Sequence, residues 1–385
     1  IAISHGHDDH LDDDFLDLFP KETSIIIPEY KAKGLLSRLR RIGFKNIIEA
    51  PTSGVLVNGV EFRSYINMAI SRDDAILTIA TPKSFIVHAN DNWQEIVNPN
   101  LESLRQDASR FDSGQILYMS QCNLADGWPN IYTNYTRDQK TEIHQARVDN
   151  IIINGLGNAA NIGAKYFLNY AGYAAAFVKD AEALYERTSF STNASVQSLC
   201  DQAGHDITVL DMLPGDTFDF DVVREQFPGV SLAPKTLKDE SYKFYQDYRR
   251  TLACDTYRNY PSLSDDDLTA AIKRFLEGFR EFVLPRAPVT NFNSDIIGYK
   301  IVFCCSDKDV GGAVVMGDVT TTRIAEFRAP AAVLTQIMTG HLNWENLYIG
   351  YASQVTTTPE NLNIRAAVRW LAMYGYVYQR DQNGW

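Results

Sequence analysis

The chain has 385 residues, 45% of them apolar and 11% aromatic, with a formal net charge of −12 and a pI near 5.1. That length and composition fill a globular core, as two domains or one large sandwich with an extension, and the acidity argues against nucleic acid as a general partner. No apolar run approaches a membrane span and no secretory signal opens the chain; five scattered cysteines (Cys122, Cys200, Cys254, Cys304 and Cys305) without C-x-x-C spacing read as reduced thiols of a cytoplasmic protein.

Ile1, Ala2 and Ile3 read as the end of a buried strand, and Ser4 leads into His5-x-His7-x-Asp9-His10. His5 and His7 are two apart, so both can reach one metal; Asp9 and His10 follow the bend and can reach a second, about 3.5–4 Å away. Imidazole and carboxylate ligands suit zinc, iron or manganese. The competing reading is an acidic, His-rich surface loop, to which Asp12, Asp13 and Asp14 would belong.

Residues 11–19 read as a short helix ended by Pro20, 24–28 as a buried strand by its β-branched run, and 30–42 as a helix with apolar Leu35, Leu36 and Leu39. Lys31 to Lys45, with Arg38, Arg40 and Arg41, reads as the solvated basic face of that helix. Residues 46–50 and 54–57 read as strands joined by tight turns, with Asn58-Gly59 following. Strands at 75–80 and 84–88 come next, and the second runs into Ala89-Asn90-Asp91-Asn92. Residues 116–130 read as a strand entering a polar loop, 141–153 as a helix bearing His144, and 165–173 as a strand meeting a tight Gly turn. Residues 182–187 continue a helix, and Tyr242, Tyr245 and Tyr248 have near-helical spacing, read as helix packing. Ser264 caps a helix running to about Phe282, and Pro285 and Pro288 mark a boundary. Strands at 296–305, 312–319 and 323–327 are expected to form an antiparallel meander, closed by helices at 330–339 and 359–374, each opened by a proline. Trp344, Leu347 and Ile349 are expected to insert into a core and dock the C-terminal region onto the metal-bearing part, with Gly350 allowing close approach and His341 at a surface or helix end.

The spacing His5-x-His7-x-Asp9-His10 after a strand resembles the signature of the metallo-β-lactamase superfamily. The resemblance implies an α/β fold, an αββα sandwich with one or two metals at the sheet edge. It implies the metal ligands His5, His7, Asp9, His10 and Asp91, with Asp91 at the position of the carboxylate that bridges both metals, and Asp9 in the catalytic machinery. The strands that usually precede the motif are not in this chain, so an upstream segment or another piece is expected to supply them. The superfamily's third His has no counterpart between Tyr65 and Ala75. Asp73 or Asp74 could supply a carboxylate there, or both could be ordinary turn residues; Asp74 is taken as the candidate ligand. His88 is no clear substitute, and the last superfamily His is also absent, with Asn169, Tyr170 and Tyr173 nearby instead.

A narrower resemblance is to the family of CMP-N-acetylneuraminate hydroxylase and its bacterial relatives. It rests on residues 4–10, the strand pair between Asp74 and Asp91, Tyr170-Ala-Gly-Tyr173, residues 213–218, and above all Leu342-Asn-Trp-Glu-Asn-Leu-Tyr-Ile-Gly-Tyr351. That family has a His where this chain has Ile70, and no Rieske pattern occurs here, so its substrate does not carry over. The expected domains are 1–215, bearing the metal site, and 216–385, a C-terminal α+β extension. The first functional reading is an oxygenase with one or two irons, acting on a small polar metabolite and fed electrons by a separate protein. The alternative is a zinc hydrolase, whose metals lower the pKa of bound water. A third is a binding module whose site has decayed.

Overall fold

The computed structural model describes residues 1–6, 10–66, 74–92, 100–124, 126–170, 191–212, 218–220, 261–287, 296–317 and 322–383. His7, Asp9, Asp73, Tyr173 and Pro288, the helix at 182–187, the stretch at 213–217 and the tyrosines at 242–248 lie outside the described residues. The chain divides into two compact units that are interleaved rather than consecutive. The first takes Ile1–Leu124, Arg147–Tyr173 and Phe190–Asp247; the second takes Ala125–Ala146, Ala174–Ser189 and Tyr248–Trp385.

In the first unit, β1 (Ile25–Pro28) and β2 (Ile47–Ala50) pair in parallel, and Ala2 bridges Ile26 on the other edge of β1. The β-branched run of β1 is buried throughout because helix α1 (Asp13–Asp17) and helix α2 (Gly34–Ile42) cover it, placing Leu16 and Leu39 against Ile25 and Ile27. Helix α2 starts four residues later than its periodicity predicts, because Tyr30 turns back at the strand end, where its side chain is buried.

The larger sheet has the order β3-β4-β5-β6-β7-β8-β9, from β3 (Val55–Val57), β4 (Val60–Ile66), β5 (Ala75–Ala80), β6 (Phe85–His88), β7 (Ile116–Ser120), β8 (Tyr166–Asn169) and β9 (Thr208–Leu210). β3 to β6 are antiparallel, with Asn58 and Gly59 at positive φ in the first turn, as the Asn-Gly pair requires. β6 to β9 run parallel. Alternation along these strands splits the sheet into two faces. Phe85, Tyr118, Phe167 and Val209 face helices α3 (Asn100–Ala108), α4 (Arg137–Asn161) and α5 (Asn193–Gln202). Leu117, Tyr166 and Leu210 form the opposite face, and β1 and β2 lie against β4. The layers are helix, sheet, sheet, helix: the αββα sandwich that the sequence resemblance implied. The His144 helix is longer than expected, since Val148, Ile152, Leu156 and Ala159 continue its apolar stripe along the sheet.

The second unit is built on a four-stranded sheet, β11-β10-β12-β13, from β10 (Tyr299–Cys305), β11 (Gly311–Val315), β12 (Arg323–Ala329) and β13 (Gln354–Thr358). The meander expectation is corrected here. β11 hairpins onto one edge of β10, and β12 joins the other edge, so β10 and β12 run parallel. Helices α6 (Asp265–Val283), α7 (Ala331–Met338), α8 (Trp344–Tyr348) and α9 (Arg365–Asn383) complete the unit. Ser264 caps α6 as expected, its hydroxyl accepting from the Asp267 backbone N–H at 3.2 Å. α9 starts six residues beyond Pro359, which belongs to the turn after β13; the Asn363 side chain accepts from the Arg365 N–H at 3.0 Å and opens the helix instead. Trp344 does enter a core, packed on Phe327 and Phe303 of its own unit. The close approach falls at Gly375, where an added Cβ would meet the Trp344 Cβ at 2.8 Å. His341 is exposed just past α7, with Nδ1 2.8 Å from the Thr339 hydroxyl. Among the described residues no helix is long and apolar enough to cross a membrane.

Candidate metal centre

Three strand ends of the first unit deliver the candidate ligands. Residues 1–3 run beside β1, tied by Ile3 N–H to the Ile26 carbonyl at 2.9 Å, and His5 follows directly. β6 ends at His88, and Asp91 follows after Asn90, which takes a positive φ of 53°. Asn tolerates that conformation, and here its side chain donates to the Ala75 and His88 carbonyls at 2.8 and 3.1 Å, pinning the turn that aims Asp91. Asp74 immediately precedes β5, the antiparallel neighbour of β6, so both carboxylates emerge at one end of the sheet. That end is also where the parallel strands have their carboxyl termini, the usual position of ligand sites in such sheets.

His5 Nε2 lies 3.5 Å from Asp91 Oδ2, and His10 Nε2 lies 3.3 Å from Asp91 Oδ1. The imidazole centroids are 4.1 Å apart. One donor atom from each of His5, His10 and Asp91 lies within 4.8 Å of the others. Donors that close, of mixed imidazole and carboxylate type, fit a divalent transition ion. His5 is 2% exposed, whereas the Asp91 side chain is 33% exposed, so the cluster is more open at the carboxylate than at His5. Partial burial pushes the Asp91 carboxyl up, but hydrogen bonding and charge from His10 and His5 outweigh it and hold the group well below the usual carboxylate range.

The other sequence-predicted residues fall out differently. Asp74 stands on the far side of His5, with Oδ1 3.6 Å from Nδ1, and is not one of the three converging groups. Burial raises its carboxyl to about 6, with His5 pulling it down and Asp91 pushing it up. His7 and Asp9 lie outside the described residues. His88 packs on Tyr170 with the rings tilted and their centroids 4.5 Å apart, beside the cluster rather than in it; burial first, then the charge of His10, lowers it to about 4.

Sequence reasoning missed what holds this loop. Arg38 of α2 donates through Nη1 to the Gly6 carbonyl at 2.9 Å, through Nη2 to the Leu11 carbonyl at 3.2 Å, and through Nε to Asp13 at 2.8 Å. It is not on the solvated face that its charge suggested; its position three residues after Leu35, on the same helix face, was the available signal. The Tyr30 hydroxyl donates to the Ser4 carbonyl at 2.6 Å.

No protein-family model matches the chain, and no curated protein matches it. Solved structures with some likeness include a metallo hydrolase from the hyperthermophilic archaeon Ignicoccus hospitalis, at 12% identity and TM-score 0.34 over 56% of this chain and 77% of that one. Isothiocyanate hydrolase from Delia radicum gut bacteria gives 14%, 0.33, 57% and 75%. CmlA, a diiron β-hydroxylase from Streptomyces venezuelae, gives 14%, 0.32, 54% and 43%. Likenesses of this size fix no residue role and no reaction. The chain's own layers and donor cluster define an αββα sandwich with a candidate metal centre at the sheet edge.

Proposed function

We propose that this chain is a metal-dependent hydrolase acting on a small molecule, with His5, His10 and Asp91 as metal ligands and His7 and Asp9 completing the set. The observation that carries this reading is the convergence of both Nε2 atoms on the two oxygens of one Asp91 carboxylate. When bound, the metal supplies a polarised water that ionises near neutral pH. The protein's part is to fix the two rings, to leave the Asp91 side accessible, and to keep Asp74 behind His5, where it adds no negative charge to the cation's own shell. A histidine-richer shell of that kind suits zinc.

The second reading is an oxygenase with one or two irons, acting on a small polar metabolite with electrons from an external protein. One observation favours it: Asp74 is a buried carboxylate 3.6 Å from His5, and its Oδ1 has no hydrogen-bond partner among the described residues. Moved into the shell, it would make a two-His, two-carboxylate set of the kind that suits iron. The resemblance at residues 342–351 points the same way. Metal analysis of protein purified without added metal, with an ester, lactone and thioester panel, decides between them. Zinc with hydrolysis supports the first reading; iron with a Mössbauer signal and no hydrolysis overturns it in favour of the second.

A further inference from the structure

The imidazole edges that face away from Asp91 meet a single oxygen. Ser4 Oγ lies 2.9 Å from His5 Nδ1 and 3.3 Å from His10 Nδ1. Ser4 is 4% exposed, and its carbonyl is held by the Tyr30 hydroxyl, so the side chain has a fixed origin. Asp74 Oδ1 approaches the same His5 Nδ1 at 3.6 Å. Both Nε2 atoms, by contrast, face Asp91.

Elementary valence makes this arrangement specific. A neutral imidazole has one lone pair, and the ring nitrogen without it carries hydrogen. If both Nε2 atoms give their lone pairs to a cation, both Nδ1 atoms must be N–H donors, and both would then point at Ser4 Oγ. A hydroxyl has two acceptor lone pairs, enough for two donors. It also has a proton of its own, so without a cation it can donate to one ring and accept from the other. Alanine at this position would remove the one oxygen that both Nδ1 atoms approach, beside a ring that is almost wholly buried.

We propose that Ser4 is the positioning residue of the centre: its hydroxyl accepts the Nδ1–H of both His5 and His10, committing both Nε2 atoms to the metal centre at Asp91, while Asp74 backs His5 from outside the metal's shell. This rests on the reading of His5, His10 and Asp91 as ligands. Partners of ligating histidines orient the ring and raise its basicity, and their loss typically weakens metal binding 10–100-fold.

The test is zinc affinity by chelator competition for the wild type, Ser4→Ala, Ser4→Thr and Asp74→Asn, with circular dichroism as the fold control. Ser4→Ala should bind about 10–100-fold more weakly with unchanged equivalents at saturation, and Ser4→Thr, which keeps the hydroxyl, should recover most of the loss. Asp74→Asn should keep every equivalent. Long-range proton–nitrogen NMR of the zinc-loaded wild type should show hydrogen on Nδ1 of both rings, and this readout needs no variant. Wild-type affinity in Ser4→Ala, or hydrogen on Nε2 of either ring in the loaded protein, would overturn the role of Ser4; a lost equivalent in Asp74→Asn would make Asp74 a ligand. A wild type that binds no metal would instead defeat the underlying reading of the site.

Discussion

The Arg38 guanidinium donates to the Gly6 carbonyl at 2.9 Å, so helix α2 holds the backbone directly after the candidate ligand His5. Its second nitrogen reaches the Leu11 carbonyl, and the two contacts bracket residues 7–10. Planar, forked donors suit this task, since one rigid group fixes two backbone acceptors and the Asp13 carboxylate together.

Arg38→Ala should therefore lower stability by about 2–3 kcal/mol, the scale of hydrogen bonds from a charged group, and weaken metal binding as well. Arg38→Lys should recover little of either, because an ammonium cannot bridge the same acceptors. Urea unfolding with and without zinc checks both; a lysine variant equal to the wild type would mean that only charge matters at this position.

Trp344 is 1% exposed and packs its ring on Phe327 at 4.9 Å between centroids. Trp344→Ala should lose about 3–5 kcal/mol, the usual result of truncating a buried Trp. Gly375→Ala should also destabilise, because the new Cβ would press on Trp344. His341→Ala should leave both stability and metal content unchanged, as its ring is exposed and, among the described residues, bonds locally to Thr339. Thermal melts and metal analysis of the three variants test this together.

His88 gives the metal-free protein a pH signature. Its folded pKa, about 4, lies below the ordinary 6.5. Between those values the unfolded chain binds a proton that the folded chain does not. Stability from this group therefore rises as pH goes from 4 to 6.5 and is lost as pH falls back through that window. His88→Gln should remove that slope: the stability difference between wild type and variant, measured in urea without metal, should move in favour of the wild type across the window. A difference that stays flat would mean His88 is charged inside the fold.

The parts of the fold that were legible in the sequence are those where pattern and burial agree. The β-branched run of β1, the apolar runs of β5 and β6, and the Ser264 cap each translate a local rule directly into structure. Helix α3 was not read because its apolar positions are few: Leu101 and Leu104 carry most of its contact with the sheet. The second unit's sheet order was misread because alternation reports which face a strand buries and not which edge it joins; β11 and β12 look alike in that respect. At the candidate metal centre, the grouping of His5, His10 and Asp91 was legible because ligand chemistry restricts residue type. Ser4, Tyr30 and Arg38 were not, since their roles depend on contacts 6 to 32 residues away in the chain.

If His5, His10 and Asp91 hold the metal centre, removing any one of them should deplete the bound metal. The most direct measurement is the metal content of wild type, His5→Ala, His10→Ala and Asp91→Asn, each purified without added metal and each checked for fold by circular dichroism. Each alanine variant should lose metal while remaining folded. Asp91→Asn should also bind less, because a neutral amide balances a cation poorly, and if two ions are present it should lower the occupancy of one more than the other. Folded variants that all retain wild-type metal content would contradict the assignment and reduce the cluster to an ion-paired turn.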